Sequence, residues 1–153
     1  MIATPGRRAA VLGHPIAHSL SPVLHRAAYA SLGMDWTYEA VDVLPQNLGT
    51  FLDQLGPEWA GLSLTMPLKE TVIGLLDEVD EVAGRVRAVN TVVLTGGRRV
   101  GHNTDITGLQ QLIPSGARTV TVLGAGATAR SAVMAIAASG TASPEGARRG
   151  SGR

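Results

Sequence analysis

Five short runs of this 153-residue chain carry the side chains best able to do chemistry. Gly13-His14-Pro15-Ile16-Ala17-His18-Ser19-Leu20-Ser21-Pro22 brings two serines to a predicted helix start. Hydroxyls there suit an anion, because free backbone N–H groups and the helix dipole point the same way. Leu64-Thr65-Met66-Pro67-Leu68-Lys69 puts an ammonium in a first helical turn, mildly unfavourable against that dipole. Ala88-Val89-Asn90-Thr91 sets an amide in a strand-like stretch where propensity gives it no reason to stand. Gly101-His102-Asn103-Thr104-Asp105 ends in a carboxylate at another helix start. Finally, Gly124-Ala125-Gly126-Ala127-Thr128-Ala129 follows a predicted strand and opens a predicted helix, the context of a dinucleotide fingerprint. Each run has a plainer alternative: N-caps for Ser21 and Asp105, a solvated lysine, a tight strand–helix turn for the glycines. The N-cap reading of Ser21 leaves Ser19 unexplained.

Other chemistries are set aside. The chain has no cysteine, so it offers neither disulfides nor thiolate ligands. Its four histidines, His14, His18, His25 and His102, lack metal-site spacing, and no metal is expected. Gly61-Leu62-Ser63-Leu64-Thr65 lacks the second glycine of a serine-hydrolase elbow. A formal charge of +1 gives no nucleic-acid footprint. The N-terminal run does not read as a signal peptide, and no apolar stretch would span a bilayer. The expected setting is cytoplasmic, with no membrane partner.

The elements that must position these residues alternate between strand and helix patterns. With 44% hydrophobic and 16% charged residues, the chain reads as a folded protein. Residues 9–13 and 36–43 read as strands flanking a helix that runs from Ser21 to just before Gly33. Val23, Ala27, Ala28, Ala30 and Leu32 are expected as its inward stripe. Leu48, Phe51, Leu52 and Leu55 mark a second helix stopped at Gly56-Pro57. A strand at 61–65, a helix from Pro67 to about Leu76 and another over 77–87 follow. A hairpin over 88–101 turns at Gly96-Gly97, and a helix covers 105–113. Thr119–Leu123 is the last expected strand, with a helix over about 126–139. From Gly140 to Arg153 there is no Val, Leu, Ile, Met or aromatic residue, so that tail is expected to be disordered. The fold class is α/β, a mostly parallel sheet with flanking helices.

In order and spacing the five runs resemble the shikimate dehydrogenase family, over residues 9 to 139. The resemblance implies a substrate-binding domain over residues 1–108 and an incomplete Rossmann-like, NADP-binding part over 109–139. It implies NADPH-dependent reduction of 3-dehydroshikimate to shikimate, a small polyhydroxylated ring acid of aromatic amino-acid precursor synthesis. Lys69 is then the acid that protonates the nascent alkoxide, with Asp105 as its partner. Ser19 and Ser21 would grip the substrate carboxylate, while Thr65, Asn90 and Asp105 would bond ring hydroxyls. Gly124, Ala125, Gly126, Ala127 and Thr128 would hold the cofactor pyrophosphate.

The sequence departs from the family's pattern at three points. Ser63 replaces a common Asn, Arg87 stands where a glycine often precedes Ala-Val-Asn-Thr, and nothing after Gly140 matches the segment that reads the 2′-phosphate. The last of these and the change of composition at about residue 140 imply a C-terminally truncated or frame-shifted copy with little or no NADPH-dependent turnover of its own. They also imply an apolar edge on the strand Thr119–Leu123, open to self-association. Two rivals remain: a quinate/shikimate dehydrogenase using NAD, which Ser21 disfavours, and a non-catalytic module that binds shikimate-like acids.

Overall fold

The computed structural model describes residues 6–140, so the expected tail beyond Gly140 lies outside the described residues. In chain order the elements are β1 (Arg7–Gly13), α1 (Ser21–Ser31), β2 (Trp36–Asp42), α2 (Leu48–Asp53), β3 (Trp59–Leu64) and α3 (Leu68–Thr71). Then come β4 (Glu78–Val79), α4 (Glu81–Val86), β5 (Thr91–Thr95), β6 (Arg98–His102), α5 (Asp105–Leu112) and α6 (Ala127–Ala138). The six strands form one sheet in the order β2-β1-β3-β5-β6-β4. Strand β1 lies parallel to both β2 and β3, and β4 is parallel to β6. The β5–β6 hairpin runs antiparallel, and β5 pairs antiparallel with β3. The α/β class stands, with a mixed sheet. Its antiparallel part follows from Gly96 and Gly97, whose φ of +57° and +75° permit the tight reversal.

One face of the sheet carries the main core, with Ala10, Leu12, Leu48, Leu52, Leu62, Leu64, Leu68, Val72, Val89 and Val92 all buried. The other face carries Ala9, Val11, Ile16 and Tyr38 beneath α1. A third cluster joins Val86, Ala88 and Ile106 to Ala135 of α6. That cluster seats the fingerprint helix on the end of the sheet domain through apolar contact.

Several local expectations are corrected. The inward stripe expected on α1 is exposed: Val23 and Leu32 are 66% and 71% open, and the helix has no buried residue. Its packed side is instead Pro22, His25 and Tyr29, because stacking of the His25 ring on Tyr38 sets the helix rotation. Ser21 is the first helical residue, behind Leu20 at the N-cap, and Asp105 likewise stands behind Thr104. The helix after Pro67 tightens to a 3-10 turn over Val72–Leu75. Within 77–87, Glu78–Val79 forms a short edge strand, and Asp80 caps α4 by accepting from the Ala83 N–H at 2.6 Å. The expected strand at Thr119–Leu123 does not form. A strand exists by pairing, and no neighbouring chain lies alongside it among the described residues. No helix among them is long and apolar enough to cross a membrane.

Candidate active site

The sheet topology gathers the chemical residues along one edge. Strands β1, β2 and β3 end there at Gly13, Asp42 and Leu64. Strand β5 runs the opposite way, so it begins there at Thr91, and β6 returns to end there at His102. Registers tie the row together: Leu12 faces Leu64, Ser63 faces Thr91, and Thr91 faces His102. Loops leaving this edge hold Ser19, Thr65, Asn90 and the approach to Asp105. Crowding at the edge explains Gly13, where a Cβ would lie 2.5 Å from the Thr65 methyl carbon.

At the centre, the Lys69 ammonium donates to Asp105 Oδ2 at 2.6 Å. Both side chains are largely enclosed, 13% and 24% exposed. Asn90 Nδ2 donates to the other carboxylate oxygen, Oδ1, at 2.7 Å and to Thr104 Oγ1 at 3.0 Å. Its Oδ1 accepts from the Thr104 N–H at 2.9 Å. The Asn90 backbone is equally constrained: its N–H donates to His102 O, and its carbonyl accepts from Leu64 N–H. Lys69 is held from behind, since its carbonyl accepts from the Val89 N–H at 2.8 Å. Such an arrangement fixes an ammonium whose remaining N–H bonds can meet a ligand oxygen. Asp105 has each oxygen engaged and holds the lysine in place.

Ser19 Oγ accepts from the Ser21 N–H at 3.3 Å, so Ser19 satisfies the helix start and leaves the Ser21 hydroxyl other duties. Thr65 spans the same edge, its N–H donating to Leu12 O and its carbonyl accepting from Leu68. Lys69, Asn90 and Asp105 are therefore brought into direct contact, and Ser19, Ser21 and Thr65 share their edge. No group of three metal-ligating side chains occurs among the described residues.

The fingerprint residues form the entry to α6. Gly124 adopts φ +108°, a region other residues rarely reach, and Gly126 opens the helix with no side-chain cap. A Cβ at either glycine would meet nothing within 4 Å, so packing in the chain does not require them. An uncapped helix start behind a glycine turn fits the pyrophosphate of a nicotinamide dinucleotide. The adjoining strand is unformed, so the fit stops at that part of the cofactor.

Sequence reasoning missed several residues. Arg130 of α6 donates to the Val86 and Arg87 carbonyls at 2.7 and 3.0 Å and pairs with Glu70 at 2.8 Å. It thereby links the fingerprint helix to the turn bearing Lys69. Beside it, Ser131 is fully buried and accepts from Asn103 at 3.0 Å. Asp42 accepts from His14 Nδ1 at 2.6 Å and from the Ile16 N–H at 3.2 Å. The His14 hydrogen bond holds the Asp42 carboxyl below its ordinary value. Tyr38 donates its phenol to Ser63 Oγ at 2.7 Å. Asn103 and Ser63 stood inside conspicuous runs, whereas nothing local marks partners 26 to 60 residues away, as for Asp42 or Arg130.

Residues 11–92 match the shikimate dehydrogenase substrate binding domain. A shikimate dehydrogenase (NADP(+)) of Shouchella clausii is 42% identical over 138 residues, which is 85% of this chain and 50% of that one. The crystal structure of shikimate 5-dehydrogenase from Thermus thermophilus, in complex with NADP(H) and shikimate, superposes with a TM-score of 0.83 at 42% identity. That match covers 88% of this chain and 53% of that one. A 5-ketofructose reductase of Gluconobacter in its ligand-free form gives a TM-score of 0.79 at 30% identity, covering 90% and 51%. The chain spans about half the length of the curated relatives it matches.

Proposed function

The chain belongs to the shikimate dehydrogenase substrate-binding-domain family, and on that premise we propose that it forms the substrate-holding half of an NADP-dependent shikimate dehydrogenase. One observation carries the reading: Lys69, Asp105 and Asn90, drawn from three separate segments of the chain, meet at hydrogen-bonding distance on one sheet edge. When bound, NADPH supplies the hydride that reduces the ring ketone of 3-dehydroshikimate. In this reading the Lys69 ammonium faces the ketone oxygen, stabilises the negative charge that grows there and delivers the proton that completes the alcohol. Asp105 keeps Lys69 aimed and, with Asn90 and Thr65, accepts or donates to ring hydroxyls. A ring lacking those hydroxyls would leave enclosed polar groups unmatched. Ser19 and Ser21 take the carboxylate. Gly124 to Thr128 would hold the cofactor pyrophosphate.

A second reading follows from the unformed strand at 119–123: the chain alone binds shikimate without turning it over. Calorimetry with shikimate and, separately, NADPH tests both. Shikimate should bind with a stoichiometry of about one, and Lys69→Met should weaken it at least about tenfold, since it strands Asp105 without its cation. A wild-type chain indifferent to shikimate would sink both readings. NADPH oxidation by the chain alone at rates typical of dehydrogenases would favour the complete enzyme and dismiss the binding-only version.

A further inference from the structure

Tyr38 is a buried phenol that the proposed chemistry does not use. Strand β2 presents it beneath α1, where only 2% of its surface is open. Its ring is packed by the His25 imidazole, stacked 3.9 Å away at an interplanar angle of 12°. Phenylalanine would satisfy that packing, so the hydroxyl asks for its own explanation. Register supplies one. Tyr38 lies opposite Ala9, and Ser63 lies opposite Val11, two residues further toward the active edge on the same face. The ring reaches along the sheet across small neighbours, and its hydroxyl donates to Ser63 Oγ at 2.7 Å. Burial raises the phenol's pKa, so it remains a proton donor at neutral pH.

We propose that Tyr38 is a positioning residue for the acid end of the ligand, aligning the Ser63 hydroxyl on a carboxylate. The inference rests on the shikimate-binding reading. A serine hydroxyl rotates freely, with one proton and two lone pairs. Donation from Tyr38 occupies one lone pair of Ser63 and turns that residue's own proton away from the phenol, toward the loop edge. The donor is thus oriented before the ligand arrives, which removes part of the ordering cost of binding. Ser63 then acts as an anion donor, in a way that an amide at its position would not need Tyr38 to arrange.

The test compares shikimate with its methyl ester, titrated calorimetrically into the whole chain. Tyr38→Phe keeps the ring and its stack on His25. It should weaken shikimate about tenfold and the ester by less than about twofold, because the ester lacks the charged acceptor. Ser63→Ala should show the same preference, and the double variant should be no worse than Ser63→Ala alone. Equal losses for acid and ester, or additive losses in the double variant, would reduce Tyr38 to a packing residue and overturn the inference. Unchanged shikimate affinity in Tyr38→Phe would overturn it as well, while leaving the binding reading intact. Failure of the wild-type chain to bind either ligand would instead remove the reading beneath it, and the inference with it. Circular dichroism of each variant separates lost alignment from lost folding.

Discussion

Asp42 shows how a single side chain can fasten a ligand loop. Its carboxylate accepts from His14 Nδ1 and from the Ile16 N–H, both in the loop that leads to Ser19 and Ser21. Those bonds favour the charged form, His14 first, and depress the carboxyl below its ordinary 3.8. The sign of the linkage follows. A group with a lowered folded value adds stability above its unfolded value and loses it as pH falls through the folded one. Asp42→Asn should therefore lower the urea midpoint at neutral pH, and the gap from wild type should close on acidification below the ordinary carboxyl value. A gap that persists unchanged down to roughly pH 2 would show that the loop is fastened by packing instead. Lys69 and Asp105 illustrate the opposite economy of design, because there the ion pair is the working part and its neighbours supply the fastening.

Among the elements, α4 has the most telling terminus. It closes on Arg87 in a left-handed conformation at φ +53°, which makes Arg87 the one non-glycine residue with positive φ among those described. Glycine is the usual occupant of such a position, since a Cβ there meets the backbone. The departure noted in the sequence thus has a local physical meaning. Arg130 reaches the end of this helix and donates to the Val86 and Arg87 carbonyls, where a cation also meets the negative end of the peptide dipoles. Both acceptors are backbone atoms, so they survive a change of side chain. Arg87→Gly should accordingly raise the stability of the chain by about 0.5–1 kcal/mol, seen as a higher thermal midpoint with the same shikimate affinity. A lower midpoint would mean that the arginine side chain contributes more than its backbone strain costs.

For the whole molecule, the main question is what its exposed apolar surface does. Leu20, Val23, Leu24 and Leu32 lie open along α1, and Leu123 is 92% exposed. The expected route to self-association through a strand edge at Thr119–Leu123 loses its premise, because no strand forms there. The apolar surface remains, and contiguous exposed apolar side chains favour association. Light scattering should show an average mass that rises with protein concentration and falls when Leu20 and Leu24 are both changed to glutamine. A constant monomer mass over the same range would refute this.

Much of the molecule was legible in the residues alone. Strand–helix alternation and the glycine pair at 96–97 led to an α/β chain, and the family resemblance of the ordered motifs pointed to Lys69, Asn90 and Asp105. Such features are readable because turns, caps and periodicity depend on neighbours a few residues apart. Tertiary structure alone decided the rest. It set the rotation of α1, since a stacking contact between His25 and Tyr38 overrode the aliphatic stripe. It left Thr119–Leu123 unpaired, since a strand pattern becomes a strand only beside another chain segment. It also joined Asp42 to His14, Tyr38 to Ser63 and Arg130 to Glu70, partners 28, 25 and 60 residues apart. Contacts at that range are fixed by how the sheet folds back on itself, and local periodicity carries no record of them.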